Sequence, residues 1–233
     1  RLVLTNHGDR AREIEVTSYA EIALSTPADD LAHPAFAKLF VETEYVPESS
    51  ALVARRRPRA ADEPPLWGIH VLAQEGRTQG AVEWETDRAR FLGRGRGPRA
   101  PQALDGRALS GTTGVTLDPL FSLRQRIRLA PGGVVRLTFS TGMAASRETA
   151  LALAQRYRDP SAASRTFALA FAQALSALRH LGISSEEALL FERLASRVLY
   201  ADASLRAPAE ILTQSTLGQA GLWAHGISGD LPI

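Results

Sequence analysis

The stretch Phe121-Ser122-Leu123-Arg124-Gln125-Arg126-Ile127-Arg128-Leu129-Ala130-Pro131-Gly132-Gly133-Val134-Val135-Arg136-Leu137-Thr138-Phe139-Ser140-Thr141 reads as two strands separated by a reversal at Pro131-Gly132-Gly133. Proline and paired glycines between strand-length runs are turn chemistry, so Phe121 to Leu129 is expected to pair with Val134 to Thr141 as a hairpin. The N-terminal side carries the same punctuation. Leu2-Val3-Leu4 and the run Ile14, Val16, Ala20 and Ile22, interleaved with Glu13, Glu15 and Glu21, flank the turn-prone Asn6-His7-Gly8-Asp9 and predict a second hairpin. Further strands are expected at Lys38 to Val46, Ala51 to Arg56, Leu66 to Ala73 and Gly80 to Glu85, with no crossover helices between them. Many strands with short turns suit an antiparallel sandwich better than a parallel sheet. On the C-terminal side the hydrophobic period changes from two to near 3.6 at Ser146. Ser146 caps a helix over Arg147 to Tyr157; Asp159-Pro160 opens a second, which carries Phe167, Phe171, Leu175 and Leu178 and stops at Gly182. Ser185-Glu186-Glu187 opens a third through Leu189, Leu190, Leu194 and Leu199, with its carboxylates at the end the helix dipole favours. The expected fold is therefore α+β: a large antiparallel β sandwich over residues 1–145, followed by a helical linker region over 146–233.

Composition narrows the chemistry. At 233 residues, 45% hydrophobic and 22% charged, the chain can bury a sizeable core, and disorder is not expected. No apolar run reaches the roughly 20 residues of a membrane-spanning helix, so no membrane contact by this segment is expected. The start at Arg1-Leu2-Val3 reads as the middle of a strand, and Gly229-Asp230-Leu231-Pro232-Ile233 stops as an apolar stretch begins. Both ends suggest a piece of a longer polypeptide. The absence of cysteine removes disulfides, thiolate nucleophiles and cysteine metal sites. A net charge of +2, with Lys38 the single lysine, does not suit a nucleic-acid partner. The one dense basic run, Arg55-Arg56-Arg57-Pro58-Arg59, reads as a solvated strand end.

Several motifs invite a catalytic or binding reading. Phe91-Leu92-Gly93-Arg94-Gly95-Arg96-Gly97 has phosphate-loop glycines, but Pro98 and Pro101 cannot open the helix such a loop requires. It reads as a surface turn in which Arg94 and Arg96 are candidates to face a polar ligand. His225, Ser228 and Asp230 contain the residue types of a hydrolytic triad without the Gly-x-Ser-x-Gly elbow; Ser228 and Asp230 read as loop or capping residues and His225 as a polar contact near a helix end. The other histidines show no metal-ligand spacing, and no metal or cofactor is expected. Glu42-Thr43-Glu44 and Glu83-Trp84-Glu85 are the nearest carboxylate pairs for glycoside chemistry. Each pair shares one strand face, so exposed strand faces are the expected reading. Trp67, Trp84 and Trp223 could stack on sugar or fill the core. Trp223, His225 and Asp230 offer an aromatic face, a donor or acceptor and a carboxylate within eight residues. With Arg94 and Arg96 they form the candidate substrate-binding set, and no residue is assigned a catalytic role.

Longer strings carry a family resemblance. His33-Pro34-Ala35-Phe36-Ala37-Lys38-Leu39-Phe40, Thr86-Asp87-Arg88-Ala89-Arg90-Phe91-Leu92-Gly93-Arg94-Gly95, Leu117-Asp118-Pro119-Leu120-Phe121-Ser122-Leu123-Arg124, Leu199-Tyr200-Ala201-Asp202 and the run from Leu217 to Pro232 resemble the bacterial cyclic β-1,2-glucan synthases. The resemblance implies a region related to glycoside hydrolase family 94, with a supersandwich β domain and a helical linker. It implies a parent enzyme at the inner membrane, this segment lying on its cytoplasmic side. That parent would build β-1,2-glucan from UDP-glucose, cyclise it and adjust its length by phosphorolysis. The family's phosphorolytic centre lies in an (α/α)6 barrel with a Gly-Phe-Arg-Asp type loop, and no such loop occurs here. The implied role is a non-catalytic carbohydrate-associated module whose partners are neighbouring domains of the same polypeptide and, as a candidate ligand, β-1,2-glucan. A fragment of a stand-alone β-glucan phosphorylase and an independent carbohydrate-binding module are the alternatives.

Overall fold

The computed structural model describes residues 1–58, 60, 63–200 and 203–227. It divides into two compact units, Arg1–Ala168 and Leu169–Ile233. Among the described residues, unit one contains strands β1 (Leu2–Thr5), β2 (Arg12–Thr17), β3 (Ala20–Glu21), β4 (Val41–Val46), β5 (Ala51–Arg56), β6 (Leu66–Glu75), β7 (Gln79–Asp87), β8 (Gly114–Val115), β9 (Pro119–Leu129) and β10 (Val134–Ala144). Short helices α1 (Pro27–Ala32), α2 (Pro34–Lys38) and α3 (Arg88–Leu92) interrupt them, and α4 (Arg147–Arg158) follows. Helix α5 (Pro160–Leu181) leads into unit two, which holds α6 (Ser185–Leu199) and α7 (Ala209–Gln214). Lys38, expected in a strand, ends α2 instead, and the strand begins at Val41.

Two antiparallel sheets face each other. One has six strands in the order β1-β10-β6-β5-β4-β8; in the other, β9 pairs with β2 and β3 along one edge and with β7 along the opposite edge. Apolar side chains from both sheets meet between them, Leu52, Leu72 and Leu137 from the first against Leu123, Ile127 and Leu129 from the second.

Both expected hairpins are corrected here. β9 and β10 do not pair: β10 lies between β1 and β6 in one sheet, while β9 is the centre of the other. Likewise β1 pairs with β10 and β2 with β9, so Asn6-His7-Gly8-Asp9 also passes from sheet to sheet. Asn6 ties the two crossings together. Its backbone N–H donates to Gly133 O (3.1 Å) and its carbonyl accepts from Gly132 N (2.9 Å), while Nδ2 donates to Arg10 O and Leu129 O. The turns were real, but the strands they join present apolar faces to each other across the core rather than sharing an edge.

Helix α4 covers part of the outer face of the six-stranded sheet. Its Ala150 and Ala154 lie against Ala51, Val53, Ile69, Val71 and Ala144, where small side chains allow close approach of backbone to sheet. The expected caps form: Ser146 Oγ accepts from Thr149 N, Asp159 Oδ1 from Ser161 N, and Gly182 ends α5 at φ +68°. In unit two, α6 starts with a reciprocal capping box between Ser184 and Glu187. Its Leu190, Phe191 and Leu194 are exposed.

Candidate functional site

A cluster of buried and partly buried polar groups sits where β7 ends, α3 turns, and the glycine-bearing loop after Leu92 returns over β9. Asp87 closes β7 and caps α3, its Oδ1 accepting from Ala89 N (2.9 Å) and Arg90 N (3.3 Å). Arg88 on α3 donates to the Tyr19 hydroxyl (2.8 Å), Glu21 Oε1 (3.0 Å) and Asp118 Oδ2 (3.0 Å), and Lys38 donates to the other Asp118 oxygen (2.8 Å). The Tyr19 hydroxyl in turn donates to Glu21, which with the neighbouring Arg88 cation holds the Glu21 carboxyl below its usual range. Gly93 adopts φ +81°, and a Cβ there would meet Gln102 Oε1 at 2.5 Å, so the loop can reverse here only with glycine.

Arg124 locks the returning loop. It projects from β9 and is fully buried. Its Nη1 donates to Arg107 O (2.7 Å), its Nη2 to Ala103 O and its Nε to Thr17 Oγ1 (2.9 Å), with Glu83 Oε2 3.5 Å from Nη1. Glu83 also accepts from Leu109 N (2.9 Å) and pairs with Arg126 (3.2 Å). Glu85 is buried: Oε1 accepts from Thr86 N and Asp87 N (both 2.9 Å), and Oε2 from Ser110 Oγ. Between α3 and this loop lies a cavity of about 380 Å³, lined by Glu85, Arg90, Arg94, Gln102, Arg107 and Ser110 among others. Its polar walls and several guanidinium groups suit a hydroxyl-rich or anionic group.

A family model for the glycosyl hydrolase 94 supersandwich domain matches residues 1–160. The chain belongs to this family. It is also similar along its whole length to the cyclic beta-(1,2)-glucan synthase NdvB of Rhizobium meliloti (strain 1021), at 38% identity over 234 residues. The chain spans only 8% of that relative's length.

The predicted site residues fall in different parts of the chain. Arg94 lines the cavity, while Arg96 is turned to Asp105, with Nη1 2.8 Å and 2.7 Å from its two carboxylate oxygens. Trp223 (66% exposed) and His225 (exposed) lie in unit two, on a 3-10 stretch spanning Gln219–His225. Asp230 and Ser228 lie outside the described residues, as does Arg59.

Two sequence expectations are corrected. Glu85 does not lie on an exposed strand face, because the loop over residues 105–112 folds across it and supplies the Ser110 hydroxyl. The basic run is not uniformly solvated. Arg55 and Arg57 pair with Glu42 (3.0 and 3.1 Å), but Arg56 points inward, 7% exposed, and pairs with Glu63 (2.7 Å). Strand alternation puts the middle arginine on the opposite face from its neighbours. Of the tryptophans, Trp84 is structural, stacked on Tyr45 with ring centroids 3.7 Å apart. Sequence reading missed Arg124, Arg90, Arg107 and Ser110. Arg124, Arg126 and Arg128 alternate along one strand, and no sequence signal sets apart Arg124 as the one that is fully buried.

Proposed function

We propose that this domain is a non-catalytic, carbohydrate-associated module of a cyclic β-1,2-glucan synthase. The parent would make β-1,2-glucan from UDP-glucose and trim it by phosphorolysis, in which phosphate displaces a terminal glucosyl unit as glucose 1-phosphate and leaves a shortened glucan. One observation carries the non-catalytic part of this reading: every carboxylate in the two candidate pairs is committed to a structural contact. Glu42 is held by Arg55 and Arg57, Glu44 by Arg147, Glu83 by Arg126 and the Leu109 amide, and Glu85 by Ser110 and two backbone amides. A general acid must meet the glycosidic oxygen in a set geometry, and each of these carboxylates is already oriented by partners within the fold.

The similarity to a synthase of which the chain covers only a small part supports neighbouring domains of one polypeptide as its partners. The exposed apolar residues of α6 are the surface we assign to such a neighbour, and the cytoplasmic side of an inner membrane is the location this parent implies. Arg94, Trp223, His225 and, from sequence, Asp230 are the proposed glucan-facing residues, with Arg96 supporting the loop that carries Arg94. The test is direct. The purified chain, incubated with β-1,2-glucan and phosphate or with UDP-glucose, is expected to release no glucose 1-phosphate and to extend no glucan. Release of glucose 1-phosphate in proportion to chain concentration refutes the reading.

A further inference from the structure

The outer face of the six-stranded sheet is covered by α4 only in part, and the uncovered strip beside the start of that helix is not an ordinary polar surface. It forms a groove of about 350 Å³, within the roughly 300–1,000 Å³ range of small-molecule sites. Trp67 lies half-buried in it, held from behind by the cluster of alanines and valines under α4. Its cross-strand partner Arg55 places its guanidinium carbon 5.9 Å from the indole centroid. Glu42 and Glu44 project from β4 on the same side, and Arg147, the first residue of α4, forms the rim.

We propose that this groove binds a neutral pyranose unit of a glucan chain. The charges decide the class of ligand. Glu42 is paired with Arg55 at 3.0 Å and with Arg57, which does not line the groove, at 3.1 Å, and Glu44 with Arg147 at 2.7 Å, so the four charged groups that line the groove match one to one and offer neither an anion nor a cation a strong field. The four side chains are 31–48% exposed, and each keeps unused capacity: a carboxylate has about four lone-pair sites and a guanidinium five N–H donors. Adjacent hydroxyls of a sugar need such closely spaced acceptors and donors, and the hydrophobic C–H face of the ring needs an aromatic surface, which Trp67 supplies. A protein partner would call for a larger apolar patch than Trp67, Val53 and Val115 provide amid four charged side chains. That the sugar belongs to β-1,2-glucan rests on the synthase reading; that the groove takes a neutral polyol rests on its own geometry.

The experiment is a titration of the purified chain with linear β-1,2-glucan oligosaccharides, followed by the Trp67 indole N–H resonance and by calorimetry. Wild type should bind saturably, with the Trp67 resonance shifting along the same curve. Trp67→Ala should weaken binding at least about tenfold. Because Trp67 also packs against the sheet, Glu44→Gln is the companion variant. Breaking this half-exposed ion pair should shift the melting temperature by no more than about 2 °C while weakening binding about threefold or more. Absence of saturable binding by wild type overturns the proposal, as does binding that neither substitution changes or that leaves the Trp67 resonance unmoved. The synthase reading is judged separately, by the glucose 1-phosphate assay: a chain that releases none and binds no glucan loses this site but keeps that reading.

Discussion

Arg124→Met tests whether the glycine-bearing loop is held by one buried side chain. Methionine fills most of the arginine's volume but leaves Ala103 O, Arg107 O and Thr17 Oγ1 without their donor and takes one cation from Glu83. Each orphaned buried carbonyl costs about 1–3 kcal/mol, and the relief from no longer burying a guanidinium offsets part of the sum. The net loss is expected to be about 3–4 kcal/mol, which for a fold of this size lowers the melting temperature by about 6–16 °C. Near-ultraviolet circular dichroism of the Trp84–Tyr45 stack reports the melting of unit one specifically. Hydrogen exchange at the Leu109 amide reports the loop, because that N–H donates to Glu83, which Arg124 helps to position. Arg124→Lys should fall between, keeping the charge while losing the fork that reaches two carbonyls at once. A loss below about 1 kcal/mol for Arg124→Met, with Leu109 protection unchanged, would show that the loop is held by something else.

Three further outcomes are expected. His70 is buried between Phe121 and Phe139, hydrogen-bonded to Ser18 and Thr141, and desolvation lowers its pKa to about 4 from an ordinary 6.5. The unfolded chain takes up a proton that the folded chain refuses between those values, so stability is full above pH 6.5 and falls towards pH 4, by up to about 3 kcal/mol. Urea midpoints at pH 7 and 4.5 measure this, and His70→Gln should reduce the difference. Gly93→Ala, which must place a Cβ against Gln102 at positive φ, should cost about 2 kcal/mol or more, whereas Gly95→Ala, at φ +71° in open space, should cost about 1 kcal/mol; paired thermal melts compare them. Ser184→Ala removes the capping box of α6 and should cost about 1 kcal/mol, read as loss of helical circular dichroism.

Local chemistry was legible in the residues alone. The change of period at Ser146, the caps at Ser146 and Asp159, the stop at Gly182 and the turn character of Pro131-Gly132-Gly133 each depend on neighbours within a few positions, and each appears in the fold. So does the antiparallel sandwich class, because alternation and short turns are properties of contiguous runs. What the tertiary structure decided is which partners those runs found. A turn dictates that the chain reverses but not whether the returning strand shares an edge or faces its predecessor across a core, so β9 and β10 could be placed in different sheets only by their contacts with β2, β7, β1 and β6. The candidate sites follow the same rule. Arg124 finds acceptors at positions 17, 103 and 107, and Trp67 is flanked by carboxylates from positions 42 and 44 and a guanidinium from 147, separations that no spacing along the chain encodes. Burial of Glu85 and Arg56 was equally invisible, because a charged side chain enters a core only where distant residues have already assembled its hydrogen-bond partners.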